Sequence, residues 1–146
     1  MSRVTHKLAE LADFLTREDL TLEEVVARVG QPRSPRRAGS RQPWVLQSLH
    51  PEFSGFELVT VADSGQISFL GGRFAPGHAP TVGELQAAFG RYDVVEISRD
   101  LPVPLLFANV SHGKACSVTL IADLPTGSVP SPEARVEAIT LRRDPA

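Results

Sequence analysis

Residues 111–116, Ser-His-Gly-Lys-Ala-Cys, bring an imidazole and the chain's one thiol within five positions, the closest approach in this sequence to a nucleophile–base pair. A reactive cysteine needs a positive, partly open setting such as a helix N-terminus. Here Ser111-His112-Gly113-Lys114 reads as a hairpin turn and Cys116 as the opening of the next strand, so the cysteine is expected to be a small core residue. His6, His50, His78 and His112 stand far apart. They form no His-Glu-x-x-His set, and they read as solvated loop residues rather than metal ligands. Asp63 and Asp123 each follow an alanine at the end of an apolar run, where an aspartate caps its own backbone. The glycines of "GGRFAPG" match neither the dinucleotide nor the P-loop pattern. No catalytic, cofactor-binding or metal-binding residue is therefore expected.

The sharpest local feature is basic. Arg28, Arg33, Arg36, Arg37 and Arg41 crowd fourteen positions with no acid among them, and Trp44 follows. Arginines beside an aromatic suit an acidic protein face or a phosphate backbone, so Arg33, Arg36, Arg37, Arg41 and Trp44 are the candidate partner-binding residues. A helix-turn-helix is excluded, because Pro32, Pro35, Gly39 and Pro43 fall where its recognition helix would run. A solvated loop is the plain alternative.

The elements that would carry these residues are ordinary. With 146 residues, 42% hydrophobic and 22% charged, the chain fits one domain over 1–146. A net charge of −2 gives no overall electrostatic case for nucleic acid or an anionic membrane. One cysteine excludes an internal disulfide. The absence of a signal-like segment or a long apolar run points to a cytoplasmic protein without membrane contact.

"TLEEVVARVG" (21–30) returns sixty positions later as "TVGELQAAFG" (81–90). Each copy opens with a capping box, Thr21 with Glu24 and Thr81 with Glu84. Each continues with one apolar stripe and ends at a glycine placed for a left-handed cap, Gly30 and Gly90. The same offset lays Leu46 on Leu106, Phe56 on Cys116 and Ala62-Asp63 on Ala122-Asp123. The expectation is an internal duplication with halves 16–75 and 76–144, each a short helix followed by an antiparallel meander. An extra N-terminal helix at 4–15 presents Val4, Leu8, Leu11 and Leu15 on one face. Strands are expected near 44–49, 56–62, 66–70, 92–97, 104–110, 115–122 and 135–142. Residues 31–43 and 123–134 read as loops, and 71–80 as the link between halves. The fold class is α+β, with one continuous sheet or two abutting ones and the helices on one face. "FELVTV" and "SVTLIA" are apolar on both faces, so their second face needs a cover within the chain or a partner.

A short capped helix ending in Gly and followed by a meander resembles the small outer-membrane assembly lipoprotein domain of the SmpA/OmlA type. Its tandem form resembles the β-lactamase-inhibitor-protein fold. The residues that carry the likeness are "LTLEEVVARVGQP" (20–32) and "PTVGELQAAFGRY" (80–92). The chain departs from that pattern in lacking a lipid-attachment cysteine near its start and a cysteine pair in each half, so the lipoprotein role and any lactamase contacts do not carry over. What the resemblance implies is a sheet surface presented to other proteins, without chemistry.

The function expected is a non-catalytic protein-binding module: a cytoplasmic inhibitor, an immunity-type protein or an assembly adaptor, with no cofactor and with steering toward an acidic partner by the arginine loop. Three alternatives stay open. The chain could be a nucleic-acid accessory protein using residues 28–41, a sensor or enzyme with a pocket between the halves, or a structural subunit, including a homo-oligomer.

Overall fold

The computed structural model describes residues 2–32, 44–61, 66–94 and 100–145. Arg33, Arg36, Arg37, Arg41 and Asp63 lie outside the described residues.

The chain runs α1 (Arg3–Leu15), α2 (Leu22–Val29), β1 (Gly30–Pro32), β2 (Trp44–Ser48), β3 (Phe53–Thr60), β4 (Ile67–Phe74), α3 (Val82–Phe89), β5 (Asp93–Val94), β6 (Val103–His112), β7 (Cys116–Leu124) and β8 (Ala138–Pro145). All eight strands join one antiparallel sheet in the order β1-β2-β3-β4-β8-β7-β6-β5. The class is α+β. Both α2 and α3 are followed by four strands, and the two four-stranded runs meet at the β4–β8 pairing.

Local chemistry starts the helices as the sequence indicates. The Thr21 hydroxyl accepts the Glu24 amide at 3.2 Å while the Glu24 carboxylate accepts the Thr21 amide at 3.3 Å. Thr81 and Glu84 do the same at 3.2 and 3.3 Å. Each box satisfies amides that a helix start leaves without partners, a contribution of about 1 kcal/mol. Helix α1 buries Val4, Leu8, Leu11 and Leu15, the stripe read from its sequence.

One row pattern builds the core. Leu46, Phe56, Gly72, Ile139, Ala122 and Leu105 pair across six successive strands, and the next row runs Leu58, Leu70, Leu141, Leu120, Phe107. Nearly every residue in these rows is buried, and all of them face the helices. Burial of this kind contributes about 1.5–3 kcal/mol per large apolar side chain.

Several boundaries differ from expectation, each for a physical reason. Gly30 is no left-handed cap: its φ of 162° is extended backbone and it begins β1. A Cβ at Gly30 would sit 1.8 Å from the Gln47 carbonyl, so glycine is needed there for close approach. Gly90 does take a positive φ, 88°. Gly71 and Gly72, expected in the link between halves, lie inside β4. Strand β8 starts at Ala138 rather than near 135 because the preceding loop is occupied with α3. The carbonyls of Pro132 and Ala134 accept the first amides of α3, Gly83 and Val82, and the Val136 amide donates to Pro80.

The offset of sixty does not hold through the sheet. Phe56 and Cys116 are both buried on the helix side, but Leu106 pairs with Ile121 on the opposite face from Leu46. A bulge in β6 sets residues 108–110 against Thr119 alone, with Asn109 at φ 52°. On both sides of this bulge the β6–β7 register differs from that of β2–β3, where Leu46 pairs with Phe56.

Candidate functional site

Alternation along the strands sends a second set of residues to the face away from the helices. Its central row is Val45, Glu57, Gly71, Thr140, Ile121, Leu106 and Asp93, and beside it run Gly55, Arg73, Ala138, Asp123 and Pro104 on one side and Val59, Phe69, Arg142 and Thr119 on the other. Val45 is 45% exposed, Glu57 and Arg73 are exposed, and Val59, Phe69, Leu106 and Ile121 are half-buried. No helix covers this face among the described residues. The strands that are apolar on both sides therefore have a helix-packed side and an open one.

Near the middle of the open face lies a trough of ≈ 400 Å³, lined by Val45, Glu57, Gly71, Arg73, Asp123 and Thr140 among others. It straddles the β4–β8 seam. Small residues make its floor: Gly55, Gly71 and Ala138 stand where larger side chains would fill it. The adjacent glycine serves the other side of the sheet, since a Cβ at Gly72 would meet the Phe53 and Phe56 rings at 3.2 Å. The Gly-Gly pair thus lets β4 accept an aromatic cluster on one face while opening a depression on the other. Phe53 lies 4.8 Å from Phe56 and 5.3 Å from Phe74, ring centre to ring centre.

The charges around the trough are unpaired. Among the described residues, the side chains of Glu57, Arg73 and Asp123 make no hydrogen bond or ion pair. Burial first, and the Glu137 charge second, raise the Asp123 carboxyl above its ordinary value. The row further along the strands behaves differently. There Asp144 accepts from Thr119 at 2.6 Å and from Arg142 Nε at 2.8 Å. Burial alone would raise the Asp144 carboxyl, but these two hydrogen bonds and the Arg142 charge outweigh it and hold the carboxyl below its ordinary value.

Of the described residues singled out in the sequence, Asp123 alone lines the trough. Trp44 pairs with Leu58, and its partly buried ring packs against the core on the helix side. The Arg28 guanidinium sits 4.6 Å above the Phe14 ring, a cation–π contact within the chain. Cys116 is buried, its thiol directed at the Leu15 carbonyl 3.6 Å away. Ser111 donates to the Asp13 carboxylate, so this segment fastens the β6–β7 hairpin to α1. His6 lies on α1 beside Glu10 rather than in a loop, and the His50 ring reaches the Arg28 carbonyl at 2.9 Å. Asp123, expected to cap its own backbone, instead lies on the open face at the wall of the trough.

Glu57, Gly71, Arg73, Asp123 and Thr140 went unremarked as a group in the sequence. The available signal was the Gly71-Gly72 pair, since a glycine inside a strand marks close approach or a missing side chain. No group of three or more His, Cys, Asp or Glu side chains that could hold a metal occurs among the described residues. No helix among them is long and apolar enough to cross a membrane. Comparison of the chain with family models, with curated proteins and with solved structures finds no match.

Proposed function

We propose that this chain is a non-catalytic protein-binding module that engages its partner through the open face of the sheet. The observation that carries the reading is the asymmetry of that sheet, with helices packed on one side and a bare mixture of apolar and charged side chains on the other. With strands about 4.8 Å apart and some six residues of each in play, the face offers roughly 700 Å². One partner's share of a standard interface is about 800 Å². Val45, Val59, Phe69, Leu106 and Ile121 supply the apolar contacts, with polar and charged neighbours among them, the composition of a non-obligate interface. An inhibitor, an immunity-type protein and an assembly adaptor all fit this description. Arg33, Arg36, Arg37 and Arg41, outside the described residues, would act separately, on an acidic patch of the partner away from the part that meets the open face.

The test is selective loss of a partner. The wild-type chain and the variants Thr140→Arg and Gln86→Arg are used as bait in lysate of the source cells. Thr140 lies in the centre of the open face and Gln86 is exposed on α3. A partner kept by Gln86→Arg and lost by Thr140→Arg supports the reading. A partner retained by both ends it. Light scattering on the same three proteins covers self-association, because a dimer dispersed by Thr140→Arg alone identifies the partner as a second copy.

A further inference from the structure

We propose that the partner's contacting surface is basic, with a lysine or arginine side chain entering the trough over Gly71 against Asp123. This rests on the reading of the open face as the binding surface and adds the chemistry of what binds there.

Charge balance is the first argument. The open face carries Glu57, Asp93, Asp123 and Asp144 against Arg73 and Arg142. Arg142 and Asp144 neutralise each other at 2.8 Å, which leaves three acids against one base among the described residues of this face, with Glu137 close enough to Asp123 to act on it as a further negative charge. Complementary potential selects a basic surface and repels an acidic one.

Desolvation is the second. Asp123 is half-buried yet has no hydrogen-bond or ion-pair partner among the described residues, so folding has removed part of its hydration without replacing it. A neutral apolar partner would strip the remaining water from Asp123, Glu57 and Arg73 and return nothing. A cationic side chain replaces the lost water with a charge-assisted hydrogen bond.

Shape is the third. At ≈ 400 Å³ and open to solvent, the trough lies near the small end of ligand pockets and suits one long side chain better than an enclosed molecule. Arg73 adds selectivity, because it stands in the same row as Asp123 with Ala138 between them. A uniformly basic surface would meet Arg73 as a like charge, so the entering residue is flanked on that side by a neutral or acidic one.

The experiment is an amide NMR titration with capped Val-X-Val tripeptides in which X is arginine, norleucine or glutamate. The arginine peptide is expected to shift the amides of Gly71, Ala138 and Thr140 and to bind about fivefold more tightly than the norleucine peptide, the scale of one exposed charge pair. The glutamate peptide should bind more weakly still, and the arginine preference should shrink with added salt. Asp123→Asn should remove most of the preference. Gly71→Ala should weaken the arginine peptide by filling the floor; its Cβ would lie 3.7 Å from the nearest atom, an ordinary contact that the fold accepts. Equal shifts from the arginine and norleucine peptides would overturn the inference while leaving the binding-face reading intact. So would shifts confined to other parts of the molecule. The binding-face reading itself is decided separately, by the Thr140→Arg capture.

Discussion

Arg143 carries the prediction that most directly tests how helix and sheet are held together. Its guanidinium donates from Nε to the Leu15 carbonyl at 2.8 Å, from one terminal nitrogen to Ile67 at 3.1 Å and from the other to Arg17 at 2.9 Å. One planar group on β8 thus binds the last turn of α1, the segment after it and the first residue of β4. A cation at a helix C-terminus also meets the negative end of the macrodipole. Charge-assisted hydrogen bonds contribute about 1.5–3 kcal/mol each when well desolvated. Arg143 is only half-buried and the Arg17 carbonyl can rehydrate, so the bonds to Leu15 and Ile67 should dominate. Arg143→Met, which keeps the side-chain bulk, should then cost about 3 kcal/mol in all. For a chain of this length that lowers Tm by roughly 10 °C. Arg143→Lys keeps the charge but not the fork, and should recover about a third of the loss. Urea melts followed by far-ultraviolet circular dichroism would measure both variants. A loss below about 0.5 kcal/mol in Arg143→Met, within the range of ordinary surface substitutions, would refute the reasoning.

Three further outcomes can be checked, two by the same melts and one by amide hydrogen exchange. Glu52 is 1% exposed and pairs through one oxygen with Arg3 Nε at 3.2 Å, while its other oxygen has no partner among the described residues. Arg3→Ala should therefore cost about 1–2 kcal/mol, less than for a fully buried pair because Arg3 is 83% exposed, and the cost should shrink in an Arg3→Ala/Glu52→Gln double mutant. Asp123 and Asp144 should shape the acid side of the stability profile with opposite signs. A raised folded-state pKa means stability falls as pH rises through it, so Asp123→Asn should stabilise at neutral pH. A lowered one means stability present above the ordinary carboxylate value is lost as pH drops through the folded value, so Asp144→Asn should destabilise at neutral pH and flatten the acid limb. Gly30→Ala should detach β1, because its Cβ would lie 1.8 Å from the Gln47 carbonyl; unchanged exchange protection at the Leu49 amide, which bonds to Val29 beside it, would count against this.

What the sequence made legible follows the range of the interactions involved. Capping boxes and the α1 stripe depend on residues three or four apart, and Thr21, Glu24, Thr81, Glu84, Leu8 and Leu11 read correctly. The class of fold followed from the same local signals. The open face depends on which residues sit opposite one another across strands, and that long-range register is announced by no local pattern. Leu106 shows the consequence: it matches Leu46 in sequence but faces the other way, because the β6–β7 register is offset from that of β2–β3. Gly71 was hidden for a related reason. In sequence Gly-Gly reads as a chain break, whereas in β4 it is a strand between Glu57 and Thr140 whose missing side chains shape both faces.

The edges of the sheet sharpen the case for the face. An unpaired strand edge is the other common way for a sheet to bind a protein, by accepting one more strand. Among the described residues β1 is Gly30–Pro32, where Pro32 has no amide to donate, and β5 is Asp93–Val94. Beyond the reach of β5, the outer side of β6 is broken by the bulge around Asn109. Proline and bulges are among the devices by which sheets resist edge pairing. A partner that lies across the strands meets Val45, Glu57, Arg73 and Asp123 together. Binding should consequently be sensitive to side chains on the open face and indifferent to backbone changes at β1 or β5. A partner lost on Gln31→Pro, while Thr140→Arg retains it, would reverse that order.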